Sequence, residues 1–125
     1  MQAYSFGYTE IRDDGDRSMI RTFLHLDVKP GQRDALISWY KESRALERAV
    51  AEAGCLSTEL YPDADNDDRL LVTALWESPA DYDRWVANPW RRSSTDEINR
   101  FLAEGFTPAS KGSVVQSIHH ATQVR

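Results

Sequence analysis

The chain has one cysteine, Cys55, in 125 residues. A lone thiol excludes an intrachain disulfide and any C-x-x-C metal knuckle or redox pair, and it fits a reducing compartment. Long apolar runs are also missing, since none approaches the roughly 18 residues that a membrane span requires. The stretch MQAYSFGYTEIRDDGD has neither the basic nor the apolar region of an export signal. Cytoplasm is therefore the expected location, with no membrane partner. Positive charge is scarce: 15 Lys and Arg stand against 20 Asp and Glu, for a net charge of -5. The basic doublet Arg91-Arg92 is too small for a phosphate-binding surface, so no nucleic-acid partner is expected. No glycine-rich phosphate cradle or dinucleotide fingerprint occurs, which argues against tightly held nicotinamide or flavin. Metal ligation is not expected either. His119 and His120 are adjacent in a strand-like run and point to opposite faces of it. The stretch from Asp63 begins like a calcium loop, but Asp68 replaces the glycine and Ala74 the glutamate that such a loop needs.

What remains reads as one domain at 18–125, behind an N-terminal extension at 1–17 in which YSFGYTEI suggests an added strand. A chain of this length buries roughly two thirds of its unfolded surface. Met19 to Val28 alternates and is apolar-rich, and KPGQ turns it into a helix. From Gln32 to Ala53 apolar residues recur at about the helical period, which predicts one long helix stopped by Gly54. CLSTELYP and RLLVTALW are strands joined by the polar loop DADNDD, and so form an antiparallel hairpin. Ser78-Pro79-Ala80-Asp81 starts a short helix with an N-cap, a proline at the first position and an acid. Asn88-Pro89 interrupts it, and Ser94 with Glu97 offers a capping box for a helix running to Ala103. SVVQSIHHATQV closes the series as a strand. The order β-α-β-β-α-β is that of a ferredoxin-like α+β fold, an antiparallel sheet with helices on one face. LLVTAL is apolar on both faces apart from Thr73, so something other than water is expected on the second face: a second copy, in a two-fold dimer with its sheets face to face.

Aromatic residues are the surplus. LWESPADYDRW (Leu75 to Trp85) spends two tryptophans and a tyrosine in one short stretch. Together with VKPGQ before the helix, GCLSTELY after it and NPWRRS beyond, it resembles the antibiotic biosynthesis monooxygenase domain, a dimeric α+β barrel. The resemblance runs from about Met19 to Val124. It implies that Trp76, which ends a strand, and Tyr82, six residues on, face a pocket between sheet and helices. It also implies a reaction with molecular oxygen that needs neither metal nor flavin. The anthrone-oxygenase branch has a strand asparagine where this chain has Val72, so one donor is missing from that wall. The haem-degrading branch needs an asparagine near Phe23-Leu24 and a histidine at Thr95, and is not matched.

The chemistry can also be argued from the residues. An electron-rich phenol, once ionised, passes an electron to oxygen by itself, so a protein need only bind it, favour its anion and exclude water. Trp39, Trp76, Tyr82, Trp85 and Trp90 are candidate walls, since aromatic faces stack on planar ligands. His25 is the candidate base, because a neutral imidazole titrates near physiological pH. Arg92 and Arg100 are alternative holders of a phenolate or enolate oxygen. The expected activity is a cofactor-independent monooxygenase acting on a small polycyclic aromatic of the polyketide type in secondary metabolism. Three alternatives remain at this level: a cyclase of the same fold, a ring-cleaving oxygenase supplied with diffusible reduced flavin, and a non-catalytic ligand-binding domain.

Overall fold

The computed structural model describes residues 19–104 and 113–123. The elements run β1 (Ile20–Asp27), α1 (Arg33–Ser43), α2 (Ala45–Ala53), β2 (Cys55–Pro62), β3 (Arg69–Trp76), α3 (Pro79–Val86), α4 (Pro89–Asn99) and β4 (Ser113–Val115). The sheet order is β2-β3-β1-β4 and the pairings are antiparallel, so the fold is the expected ferredoxin-like α+β arrangement. The proposed strand in the N-terminal extension lies outside the described residues.

Local chemistry accounts for most boundaries. Gly31 takes a positive φ of 81° in the turn that leads to α1. Gly54 closes α2 at φ 74°, and a Cβ there would meet the Asp81 carboxyl carbon at 2.9 Å. The hairpin loop carries turn chemistry, with Asp63 Oδ1 accepting from the Asp65 amide at 2.8 Å and Asn66 Oδ1 from the Asp68 amide at 2.9 Å. Ser78 caps α3 by accepting from the Asp81 amide at 3.3 Å. The exit of α4 is stitched to the end of β1 by bonds from Lys29 N to Phe101 O (2.8 Å) and from Ala103 N to Asp27 O (2.9 Å).

Three expectations are corrected. The single helix over 32–53 is two helices, because Arg44 adopts a left-handed conformation (φ 60°, ψ 35°) that ends α1 and starts α2. The helix expected from Ser94 begins at Pro89, where the Asn88 side-chain Oδ1 accepts from the amides of Trp90 (2.8 Å) and Arg91 (3.1 Å). Ser94 caps nothing and bonds back to the Arg91 carbonyl at 2.8 Å. The last strand is Ser113–Val115 alone, and His119 and His120 are exposed beyond it rather than on opposite sheet faces.

The helices cover the sheet face that carries Ile20, Thr22, Leu24 and Leu26 of β1 and the residues paired with them on β3. Burial falls into two clusters. One joins Trp76, Tyr82 and Trp85 to Ile20, Ala49 and Cys55, and the other joins Leu26, Leu36, Tyr40 and Leu70 to Val28 and Leu102. Trp90 packs against both.

Candidate active site

A cavity of about 670 Å³ opens between the sheet and the helices. Its floor is built from small side chains on adjacent strands. Thr22 of β1 pairs with Ala74 of β3, which pairs with Thr58 of β2. Alternation along each strand turns these onto the helical face together with Trp76 and Val72 two residues to either side. Ala74 is the shortest of the row and leaves room above it, where Leu46 and Ala49 of α2 form part of the roof.

Tryptophan makes the walls. Trp76 is 1% exposed, and its indole N–H donates to Thr22 Oγ1 at 3.0 Å. Its ring lies 5.1 Å from that of Tyr82, tilted by 49°. Trp90 is flanked by Trp39 (6.2 Å between centroids, 17° between planes) and Trp85 (6.3 Å, 28°). The Arg48 guanidinium sits 4.4 Å from the Trp90 ring centre, a cation–π contact,. Trp39 Nε1 donates to Glu97 Oε1 at 2.8 Å, tying α1 to α4. Offset stacks of this kind fix ring planes, and planar walls favour a planar ligand.

Among the expected residues, Trp39, Val72, Trp76, Tyr82, Trp85 and Trp90 all line the cavity, as does Arg92. Arg92 is exposed at its edge. His25 is not brought there. It alternates with Leu24 and Leu26, is exposed, and stands on the opposite face of the sheet. Arg100, the residue after α4, is exposed and outside the lining as well. Neither reaches the cavity of this chain.

Arg91, which was not among the expected site residues, lines the cavity beside Arg92. It stands one turn before the buried Ser94, and two turns before the half-buried Ile98. Burial lowers its guanidinium pKa below the ordinary arginine value, and the neighbouring phenols of Tyr82 and Tyr40 pull the other way. Burial pushes the Tyr40 phenol up to about 12, partly countered by Arg91. The Arg91 guanidinium therefore sits beside the phenols of Tyr40 and Tyr82 in an aromatic cavity, and near neutral pH Tyr40 keeps its proton. The signal for Arg91 was present in the sequence, but it depends on starting α4 at Asn88-Pro89, which brings Arg91 into the helix, on the face of Ser94 and Ile98,.

Among the described residues no group of three or more His, Cys, Asp or Glu side chains could hold a metal ion, and no helix is long and apolar enough to cross a membrane. Cys55 is buried, and its thiol is pushed up to about 11, chiefly by burial. A nucleophilic thiolate is not available there.

The model of the family described as antibiotic biosynthesis monooxygenase matches residues 19–93. A 42.8 kDa protein in the whiE locus of Streptomyces coelicolor is 34% identical over 71 residues, which is 57% of this chain and 17% of that protein. Protein SchA of Streptomyces halstedii is 30% identical over 71 residues, or 18% of its length. The chain thus spans less than a fifth of the curated relatives it matches. Among solved structures, Rv0793 from Mycobacterium tuberculosis superimposes with a TM-score of 0.67 at 21% identity, covering 84% of this chain and 100% of that one. A variant of SnoaB, a cofactor-independent oxygenase from Streptomyces nogalater, gives 0.66 at 11% identity over 85% of this chain and 99% of that one. At these identities the structural likeness carries the fold.

Proposed function

The chain belongs to the antibiotic biosynthesis monooxygenase family, and from that premise we propose that it oxygenates a polycyclic phenol of the polyketide type with molecular oxygen, without a metal or tightly bound flavin. The observation that carries the reading is Arg91, a guanidinium set beside the phenols of Tyr40 and Tyr82 in a cavity walled by four tryptophans. An anionic oxygen bound there offsets a charge that burial disfavours, so the cavity lowers the pKa of a bound phenol. The anion transfers an electron to oxygen more readily than the phenol does. For an anthrone, one oxygen atom ends on the ring methylene carbon as a carbonyl, and the other leaves as water with both methylene hydrogens. Trp76 and Tyr82 hold the ring system, and a ligand filling the aromatic cavity displaces water from around the radical pair. SnoaB, similar in fold, is a cofactor-independent oxygenase.

The working unit of this proposal is a homodimer. The sheet face away from the helices presents Phe23, Leu71 and Leu75, half-buried, and a more exposed Tyr61. A second copy would cover it.

Oxygen uptake on 1,8-dihydroxyanthrone tests the reading. Wild type is expected to consume one O2 per anthrone converted, without added metal or flavin. Arg91→Met should slow this at least tenfold near neutral pH, with a smaller deficit at pH values where the free phenol is already ionised. Product formed with oxygen excluded would instead mark a cyclase, and a rate that requires reduced flavin would mark the ring-cleaving class.

A further inference from the structure

Hydroxyl groups on the cavity wall differ in what they do with their protons. Thr58 Oγ1 donates to the Thr73 carbonyl at 2.9 Å, Ser94 Oγ to the Arg91 carbonyl at 2.8 Å, and Thr95 Oγ1 to the same carbonyl at 3.4 Å. Each is committed to the main chain. Thr22 is different. Its oxygen accepts the Trp76 indole N–H at 3.0 Å, and among the described residues no acceptor takes its own proton. The side chain is buried, at 5% exposure, and lines the cavity. A threonine hydroxyl offers one donor beside its lone pairs. A buried donor left unmade is costly, so such groups have partners in native structures.

The geometry also primes this donor. Accepting a hydrogen bond polarises the O–H and strengthens the bond it gives onward. Trp76 fixes the oxygen, because the indole is itself held by burial and by the Tyr82 ring. Ala74, the cross-strand neighbour, is too short to cover the hydroxyl. Val72, on the same face one row along, offers no donor.

We propose that Thr22, primed by Trp76, is a binding residue that donates a hydrogen bond to a carbonyl or phenolate oxygen of the aromatic ligand. The assignment rests on the aromatic-ligand reading above and narrows it: the ligand is an oxygenated aromatic with an acceptor on the edge facing the sheet, and a bare polycyclic hydrocarbon lacks what the floor selects. Arg91 reaches in from the helical layer and Thr22 from the sheet, so the two donors approach from different layers of the fold.

The test uses the whole chain under anaerobic conditions and follows quenching of tryptophan fluorescence by two probes, 1,8-dihydroxyanthrone and 9,10-dihydroanthracene. The second has the same three-ring outline and no oxygen. Thr22→Val should weaken the first probe roughly fivefold to tenfold, the worth of one neutral hydrogen bond, and shift the second by less than twofold. Thr22→Ser should restore the preference. Thr22→Val also orphans the Trp76 indole, so Trp76→Phe and the Trp76→Phe/Thr22→Val pair complete the set. Loss of preference between those two variants, where no indole is left to orphan, is the result a purely structural threonine does not give. Equal weakening of both probes, or no change with either, overturns the assignment while leaving the aromatic ligand standing. Failure of wild type to bind either probe overturns both.

Discussion

Tyr40 and Cys55 are acids that the fold keeps neutral, and their displaced pKa values make a statement about stability. Burial is the main cause in each case, with Tyr40 moved from 10.0 to about 12 and Cys55 from 9.0 to about 11. Below pH 9 both groups hold their protons whether the chain is folded or not, and the contribution is whole. As pH rises, the unfolded chain ionises first, so it binds fewer protons than the folded one and stability falls. Cys55 acts between about 9 and 11 and Tyr40 between about 10 and 12, each at up to about 1.4 kcal/mol per pH step. Urea midpoints from pH 8 to 11 should therefore drop faster for wild type than for the Cys55→Ala/Tyr40→Phe variant, measured relative to each protein's own value at pH 8. Parallel curves would mean that neither proton is held as described.

At the scale of elements, the break at Arg44 decides what the helical layer can present. α1 turns Leu36 and Tyr40 toward one cluster, and α2 turns Ala49 and Ala53 toward the other, which a straight helix over 32–53 could not do with the same residues. The apolar period was legible, but the break was not, because arginine carries no left-handed preference of the kind glycine or asparagine would have announced. The left-handed state costs an ordinary residue about 1 to 2 kcal/mol, while a glycine there loses about 0.4 to 1 kcal/mol through the freer unfolded chain. Arg44→Gly is therefore expected to stay within about 1 kcal/mol of wild type in urea denaturation, and β-branched Arg44→Val to lose clearly more. The reverse order would indicate a continuous helix. The exposed Arg44–Glu47 pair, at 4.0 Å, contributes little to either variant,. The start of α3 was readable because Ser78, Pro79 and Asp81 form a complete local signal. The start of α4 was misread because Ser94 and Glu97 imitate a capping box, while Asn88 takes the amides. The sequence offered Arg92 and Arg100 as alternative holders of an oxygen, and Arg91 lines the cavity beside Arg92. The tryptophan excess was visible in the chain, but which rings stack depends on how three helices converge, and no local pattern carries that.

At the scale of the whole molecule, the described residues leave the cavity between the two buried clusters and the far face of the sheet open. Reading across that face, one row is His25, Leu71 and Tyr61 and the next is Phe23, Thr73 and Glu59, with Thr73 Oγ1 donating to Glu59 Oε1 at 3.1 Å. No described helix covers these rows. Phe23, Leu71, Leu75 and Tyr61, set on this face among Arg21, Asp27, Glu59 and Arg69, suit a partner surface, and a two-fold contact would bring each row against the same row of a second copy,. Such a contact would place His25 at the interface, apart from the cavity. Sedimentation at micromolar concentration is expected to give a stable dimer. Placing a like charge at the centre of a self-complementary patch counts twice, once from each copy, so Leu71→Glu should shift the equilibrium to monomer by well over a hundredfold in Kd. Because Leu71 points away from the helices, the monomer so formed should keep its secondary structure and its tryptophan cavity, and still bind 1,8-dihydroxyanthrone within a few-fold of wild type. A wild-type protein that sediments as a well-behaved monomer would remove the face-to-face barrel. A Leu71→Glu monomer that no longer binds the probe would mean that the partner sheet helps to shape the cavity.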